Sequence, residues 1–221
     1  MPSFKSNKSK HLKISESAIR RLSRYYRYLE QLEEKEGRVI SSAQLAAKCM
    51  VNPNQLRKDL DFFGEFGTRG LGYHVKDLLS DIRQVLGLNK EWRIAVIGIG
   101  DLGSSLLAYN DFLRQNYKIV AAFDVDPQKV IGMVSEKLGH PVEVLHADRI
   151  REVAKDRRIE IGLITTPPAE AQKVANMLVD AEVRGILNFT PTEVTVPKGY
   201  VLKDIFFTTA LDNLAYLLSN G

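Results

Sequence analysis

The sequence predicts a mixed α/β chain made of two unlike halves and a helical tail, and three observations carry that prediction. Along the first 90 residues, apolar positions recur at helical spacing in short stretches separated by turn signals. Beyond Lys90, apolar runs of strand length alternate with helical patterns, as a parallel sheet covered on both faces requires. Charge divides at the same place: residues 1–90 hold 17 Lys/Arg against 10 Asp/Glu, and the remainder holds 14 against 17. Cationic side chains gain affinity for a polyanion by releasing condensed counterions, so the split points the first half toward nucleic acid. A merely soluble basic surface is the alternative.

Residues 1–14 are polar and lysine-rich without apolar period and are expected to form a disordered basic arm. Ser15 is placed as an N-cap. After it Ile19, Leu22, Tyr26 and Leu29 form an apolar stripe, with Arg20, Arg24 and Arg27 on another face, in a helix expected to stop near Gly37. Ser41 and Gln44 have capping-box spacing at the head of a short helix that carries Leu45 and Ala46 and ends around Met50. Asn52 as N-cap and Pro53 at the first helical position open the next, with Leu56, Leu60 and Phe63 as its buried stripe and Gly64 as its end. Two short helices across a tight turn predict a helix-turn-helix. Residues 64–73 hold four glycines among ten and predict a short hairpin, a wing. Val75, Leu78, Leu79, Ile82 and Leu86 give a further helix closed by Gly87. A winged helix-turn-helix domain is therefore expected over 15–87.

Strands are expected at 93–97, 118–123, 142–145, 160–165 and 185–189, with helices between most of them. This is a Rossmann-like parallel-sheet domain over 88–203. The tail, 204–221, holds Ile205, Phe206, Phe207, Leu211, Leu214, Ala215, Leu217 and Leu218, too many apolar residues for a lone exposed helix. It is expected to pack on a partner subunit. The lone Cys49 excludes an internal disulfide and a cysteine zinc site. His11, His74, His140 and His146 stand without acidic or cysteine neighbours in a ligand pattern, so neither a metal nor a catalytic triad is expected. No apolar stretch approaches the roughly 20 residues that span a bilayer, and no signal peptide is evident. The default location is the cytoplasm.

Gly98-Ile99-Gly100-Asp101-Leu102-Gly103 follows a predicted strand and opens a predicted helix, and Asp124 comes 21 residues after Gly103. That is a dinucleotide fingerprint in its proper setting. Gly98 allows the tight turn, Gly100 lets a pyrophosphate approach the backbone and Gly103 lets the helix pack closely. Asp101 and Leu102 lie on the same ligand-facing loop. Asp124 is expected to accept ribose hydroxyls and to repel a 2′-phosphate, which makes NAD(H) the expected ligand. Thr165-Thr166-Pro167 and Asn188 close two predicted strands; they either line a nicotinamide pocket or do ordinary loop chemistry. On the second helix of the helix-turn-helix, Lys58 or Gln55 can read base edges and Arg57 suits a phosphate, while Arg69 in the wing can enter a minor groove. A solvated helix face is the alternative for each.

With these motifs in this order, the chain resembles the redox-sensing transcriptional repressors of the Rex family. The resemblance runs from about Ser15 to the C-terminus. It rests most on Leu56-Arg57-Lys58-Asp59-Leu60 joined to Gly67-Thr68-Arg69-Gly70, to the fingerprint and to Phe123-Asp124-Val125-Asp126. It implies a homodimer on double-stranded DNA carrying an inverted repeat, NADH as a regulatory ligand that releases it, and no catalytic turnover. It implies Arg57, Lys58 and Arg69 as DNA contacts, and Gly98, Gly100, Gly103 and Asp124 as nucleotide contacts. It also implies a switch in which Tyr109 and Asp204 interact with Arg27. One family pattern has an aromatic directly after that aspartate, which reaches the partner's nicotinamide pocket; this chain departs from it, with Ile205 first and Phe206 next. The alternative is a small NAD-dependent dehydrogenase, which needs a substrate domain and a proton-transfer residue over the nicotinamide.

Overall fold

A computed structural model describes residues 15–32, 38–64, 66–67, 71–108, 116–131 and 143–220. The chain divides into two compact units, Met1–Asn89 and Lys90–Gly221. The basic arm expected over 1–14, Arg69 and Tyr109 lie outside the described residues.

The first unit opens with α1 (Glu16–Glu30), whose N-cap Ser15 accepts a hydrogen bond from the Ala18 amide. It buries Leu22, Tyr25, Tyr26 and Leu29. Ile19, expected in that stripe, is 42% exposed, and Tyr25, not expected there, is fully buried. The helix ends at Glu30, short of Gly37. Leu29 is the last buried residue, and a helix with no further face to bury gains little from another turn. β1 (Val39–Ile40) follows, then α2 (Ser42–Lys48), with both halves of the Ser41/Gln44 capping box formed. α3 (Pro53–Phe63) begins at the Asn52 cap and ends where the Gly64 amide donates to Leu60 O. Its buried residues are Leu56, Leu60 and, unexpectedly, Asp59; Phe63 is only half-buried.

Of the expected wing, Glu65 and residues 68–70 lie outside the described set. Its flanks run close together: a Cβ on Gly67 would stand 2.5 Å from the carbonyl oxygen of Gly72, and both residues have positive φ, 73° and 96°. The strand that leaves it, β2 (Tyr73–His74), pairs antiparallel with β1, a partner the sequence pattern did not indicate. α4 (Val75–Val85) ends in a Schellman arrangement. Leu88 donates to Arg83 O and Gly87, at φ 70°, to Gln84 O.

The second unit holds β3 (Trp92–Ile97), α5 (Asp101–Ala108), β4 (Tyr117–Asp124), a helix α6 described over 127–131, β5 (Val144–His146), α7 (Ile150–Asp156), β6 (Ile161–Ile164), α8 (Ala171–Asp180), β7 (Gly185–Asn188), β8 (Val201–Asp204) and α9 (Phe207–Asn220). Six strands form one parallel sheet in the order β5-β4-β3-β6-β7-β8. That order reverses direction at β3, the doubly wound Rossmann arrangement. Alternate residues of β3 serve two cores. Ala95 and Ile97 pack with Phe123, Ile164 and residues of α7 and α8, while Ile94 and Val96 pack with Ile99, Ala122, Val130 and Val144.

β8 lies outside the sequence expectation. It is a short edge strand, half-exposed in alternation, and it takes Asp204 out of the tail: Asp204 is the strand's last residue, opposite Asn188. The tail helix begins three residues later at Phe207. Every described residue of α9 is exposed in the single chain, with Phe207 at 73% and Leu218 at 77%. Among the described residues, no helix is long and apolar enough to cross a membrane.

Candidate functional site

At the carboxyl end of β3 the three glycines meet three different surroundings. Gly98, at φ 93°, donates to Phe123 O at 2.8 Å, and a Cβ there would come within 2.7–2.9 Å of Thr166 Cγ2, Thr166 N and Thr165 C. The exit of β6 passes against it. At Gly103 a Cβ would stand 2.1 Å from Gly98 O, so α5 lies directly on the turn. Gly100 has nothing within 4 Å; there the loop backbone is bare. The amides in the first turn of α5 lack intrahelical acceptors, and the helix dipole makes that end attractive to an anion. Asp101 and the 44%-exposed Leu102 form the outward side of this first turn.

Asp124 does something the spacing did not reveal. Its Oδ2 accepts from the Ile99 amide at 2.7 Å and its Oδ1 from the Asp126 amide at 2.9 Å, so it braces the glycine loop from the next strand. Each carboxylate oxygen retains a second lone pair, which leaves room for a ribose hydroxyl. Asp126 caps the start of α6 by accepting from the Lys129 amide at 3.3 Å.

The two strand-exit segments divide sharply. Thr165 spends its hydroxyl on the loop, with Gly98 O at 2.7 Å and Ile97 O at 3.0 Å. Thr166 Oγ1 is buried with no hydrogen-bond partner, an orphaned polar atom beside the loop, and Pro167 is exposed. Asn188 is fully buried and saturated: Nδ2 donates to Thr192 O and Asp204 Oδ1, both at 2.8 Å, and Oδ1 accepts from the Thr190 amide and hydroxyl. The hydrogen-bonding capacity of its side-chain amide is taken up within the strand exit. Phe206 is half-buried after β8, and its carbonyl accepts from Thr209 N.

In the first unit, α1 holds both helices of the helix-turn-helix. Arg24 Nη1 donates to the carbonyl of Cys49, the residue that closes α2, at 3.1 Å, and the Cys49 thiol faces Arg24 O. Burial pushes the Cys49 thiol pKa up, which keeps it a neutral packing group. Three residues earlier, Arg21 grips Asp59 of α3 with Nε at 2.6 Å and Nη2 at 2.7 Å. Tyr25 OH and Gln55 Nε2 add 2.8 Å bonds to the same carboxylate. Burial raises the Asp59 pKa, but the bonds from Arg21, Tyr25 and Gln55 outweigh it and hold the group below its ordinary value. Gln55, expected to read bases, is thus tied inward on one side. Arg57 is exposed and donates to Ser42 Oγ at 2.9 Å and to Asn54 Oδ1; Lys58 is exposed beside it. Arg27 lies on the exposed side of α1. Among the described residues no group of three His, Cys, Asp or Glu is placed to hold a metal ion.

Two family models match the chain: one described as a putative DNA-binding protein N-terminus over residues 13–61, the other as a CoA binding domain over 89–192. A redox-sensing transcriptional repressor Rex from Syntrophobacter fumaroxidans is 47% identical over 212 residues, 96% of this chain and 99% of that protein. Among solved structures, RSP in complex with β-NAD+ and operator DNA has a TM-score of 0.84 and 34% identity, covering 93% of this chain and 92% of that one. RSP in complex with β-NADH has a TM-score of 0.80 and 32% identity, covering 93% and 94%.

Proposed function

The chain belongs to the Rex family of redox-sensing transcriptional repressors, and we propose that it binds an inverted-repeat operator as a cytoplasmic homodimer and leaves it when NADH binds. It is a regulator and not an enzyme. One observation carries the proposal: a glycine loop, bare at Gly100 and braced by Asp124, opens at the reversal point of a parallel sheet in the same chain as a basic helix-turn-helix. The support from relatives is that RSP has been solved both with β-NAD+ and operator DNA and with β-NADH.

In this proposal the pyrophosphate lies over Gly98, Gly100 and the first turn of α5 formed by Asp101, Leu102 and Gly103. Asp124 accepts ribose hydroxyls with its spare lone pairs, and its charge disfavours a 2′-phosphate. Thr166 supplies a buried hydroxyl beside the loop that has no partner among the described residues. NAD+ carries a positive nicotinamide and NADH a neutral one, so an apolar wall from the partner's tail, with Phe206 as its aromatic, favours NADH. A ligand shifts an equilibrium only by its differential affinity for the two states. Asp204, held by Asn188 Nδ2 at 2.8 Å where β8 ends and the tail begins, is the residue of the second unit that this proposal assigns to the switch. On the DNA side Lys58 reads a base edge, and Arg57 and Arg69 meet the backbone and minor groove.

The test is fluorescence anisotropy of a labelled inverted-repeat duplex, titrated with NADH and with NAD+ at fixed salt. Release by NADH at concentrations where NAD+ leaves the complex intact is expected. No duplex binding, or equal responses to the two nucleotides, contradicts the proposal.

A further inference from the structure

Gln55 stands at the inner margin of the exposed face of α3, half-buried beside the exposed Asn54, Arg57 and Lys58. One turn further on, Asp59 is 4% exposed and receives four donors: two from Arg21, one from Tyr25 and one from Gln55. A carboxylate has roughly four acceptor sites, so this one is filled.

An ionised carboxylate accepts hydrogen bonds and never donates them. Gln55 can therefore meet Asp59 only through its NH2 end. The amide is not free to turn over, and its Oε1 is held away from the buried charge. A free glutamine side chain offers a base edge either end of its amide; this one offers Oε1 and its remaining N–H in one fixed sense. Recognition of adenine through N6 and N7 depends on that sense, since N6 donates and N7 accepts. Packing alone does not call for such a device. Leu56 and Leu60 already seat α3, both at 1% exposure or less, and a buried ion pair adds little net stability over an apolar replacement.

We propose that Asp59 is a positioning residue for base readout: clamped to α1 by Arg21 and Tyr25, it fixes the direction of the Gln55 amide and so the base accepted at one position of each half-site. The inference rests on the DNA-binding proposal above.

The test selects full-length wild type, Gln55→Ala and Asp59→Asn against a duplex library with a randomised core at fixed salt, and sequences the bound fraction. Circular dichroism and NADH binding check that each variant is folded. Wild type is expected to select a two-fold symmetric core. Gln55→Ala should lose about tenfold of preference at one position per half-site, the worth of one good base contact, with the other positions unchanged. An asparagine side chain can donate as well as accept, so Asp59→Asn lets the Gln55 amide turn and should change the preference at that same position. A uniform loss of affinity in Asp59→Asn with base preferences intact overturns the inference, as does a Gln55→Ala variant that selects the wild-type core unchanged. Should Asp59→Asn fail to fold, Gln55→Glu decides. It removes the NH2 donor and sets two carboxylates against each other, and retention of the wild-type preference at that position overturns the inference. A wild-type chain that selects no core contradicts the DNA-binding proposal itself.

Discussion

Asp59 keeps its charge in a buried position because Arg21, Tyr25 and Gln55 surround it with donors. Removing one partner of such a pair leaves the other uncompensated, so Asp59→Ala should cost about 3 kcal/mol, read by hydrogen exchange of the α1 and α3 amides. The folded-state pKa of Asp59 is depressed, so its contribution is present above the ordinary carboxylate value near 4 and is lost as pH falls through the folded value. Acid should therefore loosen α1 and α3 in wild type more steeply than in Asp59→Asn. The glycines separate in the same way. Gly100→Ala, with nothing within 4 Å, should leave the melting temperature unchanged but weaken NADH by about tenfold, the worth of one charge-assisted hydrogen bond. Gly103→Ala, 2.1 Å from Gly98 O, should lower both. The glycine loop is legible in the sequence because its chemistry is local, a fixed spacing between a strand and a helix. The Asp59 cluster is not, because Arg21 lies 38 residues away and nothing local marks the partner. Asn188 is partly the same case: Thr190 and Thr192 are local partners, but Asp204 is brought to it only by the pairing of β8 with β7.

At the scale of elements, capping chemistry locates helix starts well: Ser15, Ser41 and Asn52 all accept the amide bonds their positions promise. Ends are harder, since α1 stops when its buried stripe stops and no glycine marks the place. The pairing of β1 with β2 escapes notice because two-residue strands are too short to show a period, and β8 does so because it is a half-exposed edge strand that carries Lys203 in place of a continuous apolar run. α9 is the element with most to explain. Its apolar residues have no cover among the described residues, and the proposal that a partner subunit covers them has a direct consequence. A chain ending at Phe206 should keep the six-stranded sheet, seen as an unchanged far-ultraviolet strand signal, and hold NADH more weakly through the glycine loop alone, yet run as a monomer in light scattering. A truncated chain that remains dimeric contradicts that role for α9.

For the whole molecule, two units with opposite electrostatic character share one chain, and the account assigns DNA to the basic one and the nucleotide to the other. Phosphate contacts make DNA affinity fall steeply with salt, whereas NADH affinity should respond weakly, so the two halves are distinguishable by ionic strength alone. Coupling between them is the central claim. The most direct measurement is the affinity of the full chain for NADH with and without saturating operator duplex, by isothermal titration at fixed salt. Linkage requires that a ligand which expels DNA be weakened by DNA to the same factor. The account predicts that saturating duplex weakens NADH by tenfold or more, about 1.4 kcal/mol of coupling, while NAD+ changes little. An NADH affinity that is identical with and without duplex would contradict it.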